Sequence, residues 1–271
     1  MRIAVTGAAG RLGTHVVTAA LRAGHEIIAI DRPGRSGTAE QGVAWRHADL
    51  VDLDAMRAAL AGADAVAHLG ALVHPRHPEP SVHRTNVEGT YNALVAAQEQ
   101  GVRAFCFASS INAIGGAFSA RARFDHFPVD ESHPSYCEDA YSLSKWEGEQ
   151  QCAAFARRMP GVAFVSLRLH LLVADAAGAR LGEDELEGRH RDLWGWTSFG
   201  SAARAVLLAL TRGRPGHAVY FVVAPETGSE LDSAELAKRW YPEVPFRAEP
   251  VGRSAFYSTT KIETELGWTS T

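Results

Sequence analysis

Thr6-Gly-Ala-Ala-Gly10-Arg-Leu-Gly13 stands between the apolar run Arg2-Ile-Ala-Val-Thr6 and a helical stretch from Arg11 to Ala23 that Gly24 ends. Three glycines at a strand-to-helix junction have separate physical uses. Gly7 permits the tight turn, Gly10 lets the backbone approach a bound group, and Gly13 lets the helix pack closely on the strand. The freed amides around Arg11, Leu12 and Gly13, together with the positive end of the helix, then face that group, which suits a phosphate. The spacing is G-x-x-G-x-x-G rather than the commoner G-x-G-x-x-G, and the physics is shared.

Outward from this loop, short apolar runs alternate with helical stretches. Glu26–Ile30, Val43–His47, Asp64–His68, Arg103–Ala108, Ala163–Leu167 and Val219–Val223 read as strands. Asp52–Leu60, Val82–Gln100, Tyr141–Arg157 and Ala202–Leu210 read as helices, with Asp52 placed to cap its own. The strands are apolar on both faces, as in a sheet covered by helices on each side. This alternation predicts an α/β chain with a Rossmann-type doubly wound parallel sheet and right-handed crossovers. Residues 1–168 are expected to form the dinucleotide-binding domain with the catalytic residues. Residues 169–271 are expected to form a small C-terminal substrate-binding lobe, interleaved with the last sheet elements and lying over the carboxyl ends of the strands. Leu193–Thr197 reads as a Trp-containing strand, and Leu231–Trp240 and Lys261–Leu266 as short helices.

Bulk composition narrows the classes. With 46% apolar and 21% charged residues the chain is an ordinary globular protein, not a disordered or fibrous one. A net charge of −4 argues against nucleic acid or an anionic membrane as partner. No apolar run reaches the roughly 18 residues of a membrane span. Cys106, Cys137 and Cys152 are too scattered for a disulfide framework, and Met1–Arg2 runs straight into the first strand without a signal peptide. A cytoplasmic location is expected.

Asp31 strengthens the dinucleotide reading. It follows the second strand and lies 18 residues after Gly13, close to the ~20-residue spacing at which an acidic side chain takes the ribose hydroxyls. An aspartate there repels a 2′-phosphate and favours NAD; Arg11, Arg32 and Arg35 nearby keep NADP as the alternative. Asp49 and Leu50, after the third strand, are placed near the adenine. Leu69, Gly70 and Ala71 end the fourth strand, where small residues let a cofactor lie close. Ala108 and Leu171, at the ends of later strands, complete the expected cofactor contacts.

Tyr141-Ser-Leu-Ser-Lys145 opens a helix, and its i, i+4 spacing puts both side chains on one face. A phenol with a pKa near 10 exchanges protons poorly at neutral pH. A neighbouring ammonium and a positive nicotinamide stabilise the phenolate, so Tyr141 is the expected general acid/base and Lys145 its electrostatic partner and ribose ligand. Ser109–Ser110, at the end of the fifth strand, adds a hydroxyl able to hold a substrate oxygen opposite Tyr141.

With these elements the chain resembles the extended short-chain dehydrogenase/reductase superfamily, which includes the NAD-dependent epimerase/dehydratase family. The resemblance covers nearly the whole chain and rests on Thr6–Gly13, Asp31, Asp49–Leu50, His68–Ala71, Thr85-Asn-Val-Glu-Gly-Thr90, Phe107-Ala-Ser-Ser110, Tyr141–Lys145, Arg168 and Glu265-Leu-Gly-Trp268. It implies Ser110 as the catalytic serine, Asn86 as part of a water-mediated proton relay to Lys145, and a homodimer formed through the helices at Val82–Gln100 and Tyr141–Arg157. No carboxylate follows Ser110 in Ile111-Asn112-Ala113, which disfavours the family's dehydratase chemistry. Little chain follows Trp268 to enlarge the lobe, so a small substrate is expected rather than a nucleotide sugar.

In layout the chain is most similar to the uronate dehydrogenase-like members. That similarity implies Arg168 as the ligand of a substrate carboxylate. Ile111-Asn112 stands where those enzymes carry Asn-His, and Val73 where they carry a serine, so the pocket departs from theirs. Asn112, His74 and Trp194 are the further candidate substrate contacts, although an alternating strand with one aromatic face in the core accounts for Trp194 and Trp196 more simply. His74, His77 and His83 have no metal-ligand spacing, so no metal is expected.

The leading expectation is NAD(P)-dependent hydride transfer with a small polar alcohol or carbonyl compound such as a sugar, sugar acid or ketone. An epimerase using transient oxidation is the alternative. A non-catalytic dinucleotide-sensing protein is a third reading, against which the intact Ser110, Tyr141 and Lys145 argue.

Overall fold

The computed structural model describes residues 1–37, 41–73 and 77–270. Seven strands, β1 (Arg2–Thr6), β2 (Glu26–Asp31), β3 (Val43–His47), β4 (Ala65–His68), β5 (Ala104–Ser110), β6 (Ala163–Leu169) and β9 (Gly216–Val222), form one parallel sheet in the order β3-β2-β1-β4-β5-β6-β9. A short pair, β7 (Leu172–Val173) and β8 (Thr197–Ser198), lies outside it. The chain builds outward in one direction from β1 through β3 and then in the other from β4. The switch point, where a ligand crevice forms in such sheets, therefore lies between β1 and β4.

Alternate residues of β1, β2, β4, β5 and β6 feed two cores. Ile3, Val5, Ala67, Cys106 and Leu167 face α1 (Arg11–Arg22), α7 (Phe199–Arg212) and α9 (Thr260–Leu266). Ile28, Val66, Phe105, Phe107 and Phe164 face α2 (Leu53–Leu60), α4 (Gly89–Gln100) and α5 (Ala140–Arg158). Asp52 caps α2 by accepting the Ala55 amide at 3.0 Å. Asp139 caps α5 by accepting the amides of Tyr141 and Ser142.

A third core belongs to the lobe over the carboxyl ends of the strands. It gathers Ile111, Phe124, Phe127, Trp194, Tyr241 and Phe256 with α6 (Leu186–Arg189) and α8 (Ser233–Trp240). Layers and sequence interleave: β9 and α7, beyond residue 168, complete the sheet and its cover, whereas residues 111–129 enter the lobe's core. None of the described helices is long and apolar enough to cross a membrane.

Two expected elements differ. The helix read over Val82–Gln100 begins earlier, at α3 (Glu79–His83), and passes through a π-helical turn, Arg84–Glu88, before α4. Pro80 in the first turn is compatible with a helix start, since the amide it lacks has no partner there anyway. The strand read over Leu193–Thr197 is not one. Leu193 and Trp194 have φ of 57° and 53°, and the Trp194 amide donates to the Asp192 carboxylate at 3.1 Å. Only Thr197 and Ser198 are extended.

Candidate active site

The glycine loop closes the switch point. Gly7 has φ +68°, and a Cβ on it would lie 2.9 Å from Gly70 Cα, so β1 and β4 approach more closely there than any side chain permits. A Cβ on Gly13 would stand 2.2 Å from the Gly7 carbonyl oxygen and 2.7 Å from Ala8 Cα. The Gly10 amide donates to the Gly7 carbonyl at 2.9 Å, closing the turn. No side chain caps the start of α1 and no acidic residue occupies its first turn. The amides of Arg11, Leu12 and Gly13 lack intrahelical carbonyls, so this end of α1 suits an anion such as a pyrophosphate.

A buried wiring of protons holds the loop's neighbour in place. Thr90 Oγ1 donates to the Asn86 carbonyl at 2.5 Å, so toward His68 Nε2, 3.2 Å away, it acts as acceptor. His68 thus carries its proton on Nε2, and Nδ1 accepts from Thr6 Oγ1 at 2.9 Å. Thr6 Oγ1 accepts in turn from the amides of Leu69 and Gly70, each at 3.1 Å. Burial pushes His68 down to about 3, with the Lys145 charge adding to the shift, so the ring stays neutral. The sequence reading placed Leu69 and Gly70 against a cofactor, and their amides are turned into this network.

Asp31 lies beside the loop. Its Oδ2 accepts the Ala9 amide at 3.0 Å and its Oδ1 the Arg32 amide at 2.9 Å. Each oxygen keeps lone pairs for an outside donor. Arg35 reaches back to the Ala9 carbonyl at 3.1 Å, and Arg11 lies over the Phe199 ring at 4.6 Å. Arg32 and Asp49 are exposed. Asp49 accepts the Val51 amide at 3.2 Å, and Leu50 packs on Gly70 and Gly89. Ala71 is half-buried, and Leu171 is exposed at the end of β6.

The second half of the site is a ladder between the end of β5 and α5. Lys145 Nζ donates to the Ala108 carbonyl at 2.7 Å, Ser109 Oγ donates to Glu149 Oε1 at 2.6 Å, and the Ser110 hydroxyl lies near enough to the Tyr141 phenol to favour its phenolate. Gly148 makes this proximity possible, because a Cβ there would stand 2.4 Å from the Phe107 ring. Lys145 Nζ sits 5.7 Å from the Tyr141 ring centroid.

Tyr141, Lys145 and Ser110 are all buried. Burial raises Tyr141 to about 12, while the nearby Ser110 hydroxyl opposes the rise. Burial also lowers Lys145 to about 8, opposed by the charge of Glu149. Desolvation therefore dominates at Tyr141, and the Asp139 charge adds to the rise.

Asn86, in the π-helical turn, donates through Nδ2 to the Leu72 carbonyl and to Ser144 Oγ, both at 3.0 Å, and accepts the Leu72 amide at 2.8 Å. It ties the segment after β4 to α5, one residue from Lys145. Asn112 donates its side-chain amide to Ser110 Oγ at 3.2 Å, leaving Oδ1 buried without a hydrogen-bond partner. Phe118, which the sequence reading did not single out, meets the Tyr141 ring edge-on at 5.8 Å.

Trp194 and Arg168 are both engaged inside the protein. Trp194 is fully buried, with Nε1 donating to the Leu186 carbonyl at 2.8 Å and its ring against Trp240 and Phe256. It is a core residue, because the backbone turn at 193–194 points it inward. Arg168 is not a free fork for a carboxylate. Its Nε and Nη2 bind the two oxygens of Glu149, each at 2.9 Å, and only Nη1 is left over. His74 lies outside the described residues. Among the described residues no group of three His, Cys, Asp or Glu side chains is placed to hold a metal ion.

Comparison with known proteins follows the same lines. The profile of the NAD dependent epimerase/dehydratase family matches residues 3–220. The chain is 32% identical over 201 residues to an L-arabinose 1-dehydrogenase (NAD(P)(+)) of Haloferax volcanii, covering 71% of this chain and 76% of that one. It is 29% identical over 229 residues to a uronate dehydrogenase of Pseudomonas syringae pv. tomato, covering 82% and 74%. Among solved structures, a short-chain dehydrogenase/reductase superfamily protein from Agrobacterium tumefaciens with bound NAD superposes with a TM-score of 0.74. It is 26% identical, and the match covers 100% of this chain and 93% of that one.

Proposed function

This chain belongs to the NAD-dependent epimerase/dehydratase family, and we propose that within it the protein is an NAD(P)-dependent dehydrogenase of a small sugar or sugar acid. The observation that carries this reading is the Ser110–Tyr141–Lys145 constellation at the carboxyl end of β5, on the same edge of the parallel sheet as the glycine loop after β1. The relatives that oxidise L-arabinose and uronates support the substrate class.

Bound NAD(P) supplies the hydride acceptor at nicotinamide C4. Ser110 holds the substrate hydroxyl and Tyr141, as phenolate, takes its proton while the C–H electron pair departs. In the reverse direction Tyr141 returns the proton to the carbonyl oxygen. Lys145 stabilises the phenolate by its charge, and Asn86 holds the segment that carries Lys145. The segments of 169–271 in the lobe, with 111–129, close over the substrate. The three cysteines are free, in keeping with a reducing, cytoplasmic setting.

The test is a rise in reduced-nicotinamide absorbance on a panel of aldoses, uronates and ketones, run separately with NAD and NADP. A Tyr141-dependent signal on a sugar or sugar acid is expected. Dinucleotide binding with a sugar product isomerised at one carbon and no net absorbance change would contradict the dehydrogenase in favour of the epimerase.

Cofactor choice rests on Asp31, whose carboxylate is available to ribose hydroxyls and repels a 2′-phosphate. Asp31→Ser is expected to raise KM for NAD by about 10- to 100-fold, the worth of a charged hydrogen bond, and to lower KM for NADP. Unchanged KM values for both cofactors would refute this assignment.

We also assign a homodimer to the face formed by α4 and α5, where Tyr91, Leu143 and Trp146 are exposed large apolar residues. Light scattering should give twice the 29.2 kDa chain mass, and Leu143→Glu with Trp146→Glu should yield a monomer. A wild-type monomer would remove the proposal.

A further inference from the structure

Tyr141, Lys145 and Glu149 follow one another at i, i+4 and i+8 along a single stripe of α5. Only the first two belong to the motif read from the sequence. Glu149 is almost wholly buried, as are Arg168 and Ser109. Its carboxylate accepts three hydrogen bonds, from Arg168 Nε and Nη2 at 2.9 Å and from Ser109 Oγ at 2.6 Å. Ser109 and Arg168 are directly paired across β5 and β6. The carboxylate is thus fixed from two strands, one helical turn beyond Lys145.

A buried carboxylate costs free energy unless paired, and Arg168 supplies that pairing. The carboxylate is then held in place by the Arg168 fork and the Ser109 hydroxyl, four residues along α5 from Lys145. The other titratable groups facing Lys145 do not supply an opposing charge. His68 on β4 is neutral, burial keeps the Tyr141 phenol uncharged until the dinucleotide is bound, and β5 offers only the Ala108 carbonyl and the Phe107 ring.

We propose that Glu149, locked by Arg168 and Ser109, is a positioning residue that keeps Lys145 in its ammonium form inside the apolar site. Arg168 serves this lock instead of a substrate carboxylate. The assignment rests on the role proposed for Lys145 but is read without turnover, so its failure leaves the Tyr141 chemistry untouched. Its signature in the sequence is a glutamate four residues after the motif lysine, together with an arginine near the end of the following strand.

The test is the titration of the Lys145 side-chain nitrogen by NMR in the full chain labelled with 15N-lysine. The chain has three lysines, Lys145, Lys238 and Lys261, so Lys238→Arg and Lys261→Arg assign the remaining signal. In Glu149→Gln the titration midpoint of Lys145 should fall, with acidity raised about tenfold, equivalent to one pH unit. Where Glu149→Gln leaves Arg168 uncompensated and the chain unfolds, Glu149→Gln with Arg168→Met removes both buried charges and should give a smaller fall in the same direction. A midpoint unchanged in a folded variant, whatever its melting temperature, would make the pair merely structural and overturn the proposal.

Discussion

Tyr141→Phe should lower turnover by about 10²- to 10⁴-fold while leaving dinucleotide binding intact. The range is that of a single positioned proton-transfer group. The substitution removes one oxygen from a buried ring whose edge packs on Phe118, so the cavity left is small and the fold should hold. Ser110 keeps its hydrogen bonds from the Asn112 amide and side chain, each at 3.2 Å. Binding is read by thermal shift with NAD, and turnover by reduced-nicotinamide absorbance. Equal turnover in Tyr141→Phe and wild type would assign the proton transfer elsewhere. A joint loss of binding and turnover would mean that the ring builds the site instead of reacting in it.

The second large effect concerns the glycine loop. Gly13→Ala places a methyl 2.2 Å from the Gly7 carbonyl oxygen and 2.7 Å from the Ala8 carbonyl oxygen. Both neighbours are backbone, with no flexible side chain to give way. The start of α1 must therefore move off the loop. Overpacking of this kind costs about 1–3 kcal/mol or more, and the displaced amides no longer converge on an anion. Affinity for the dinucleotide should fall by about tenfold or more, since 1.4 kcal/mol is tenfold. Gly24→Ala is the control. Its Cβ meets nothing within 4 Å, although φ is +78°, so it should cost stability through strain while leaving NAD affinity unchanged. Equal affinity loss in both variants would show that global destabilisation, not loop geometry, is being measured.

Why these elements were legible in the sequence, and others not, has a physical explanation. The loop at Thr6–Gly13, Asp31 and the Tyr141–Lys145 pair depend on local spacing: a strand end, a turn and one helical turn. Such relations survive without knowledge of the tertiary structure. The strands of the sheet were legible for the same reason, because burial on both faces leaves continuous apolar runs at β1, β2, β4 and β5.

Arg168 illustrates the opposite case. An arginine at a strand end is equally suited to a ligand carboxylate or to one supplied by the protein, and only the packing of α5 on β6 brings Glu149 to it. At Trp194 the core position agrees with the simpler reading of the sequence, but an alternating apolar pattern carries no sign of the two positive φ angles at 193–194, which replace the expected strand and turn the indole into the lobe's core. The π-helical turn at Arg84–Glu88 likewise leaves no mark on the helical periodicity around Asn86. The role of His68 as the hub joining Thr6 to Thr90 depends on β1 and β4 being neighbours at the switch point, a relation that only the sheet order reveals.

The most direct measurement follows the hydride itself. Aldoses and uronates carrying deuterium at C1 are incubated with NAD and, separately, with NADP, and the recovered nicotinamide is examined by mass spectrometry and NMR. Deuterium at C4 of the reduced nicotinamide, formed by the wild type and lost in Tyr141→Phe, is the expected result for a sugar dehydrogenase built on Ser110, Tyr141 and Lys145. Deuterium retained on an isomerised sugar, or transferred equally by Tyr141→Phe, would contradict it.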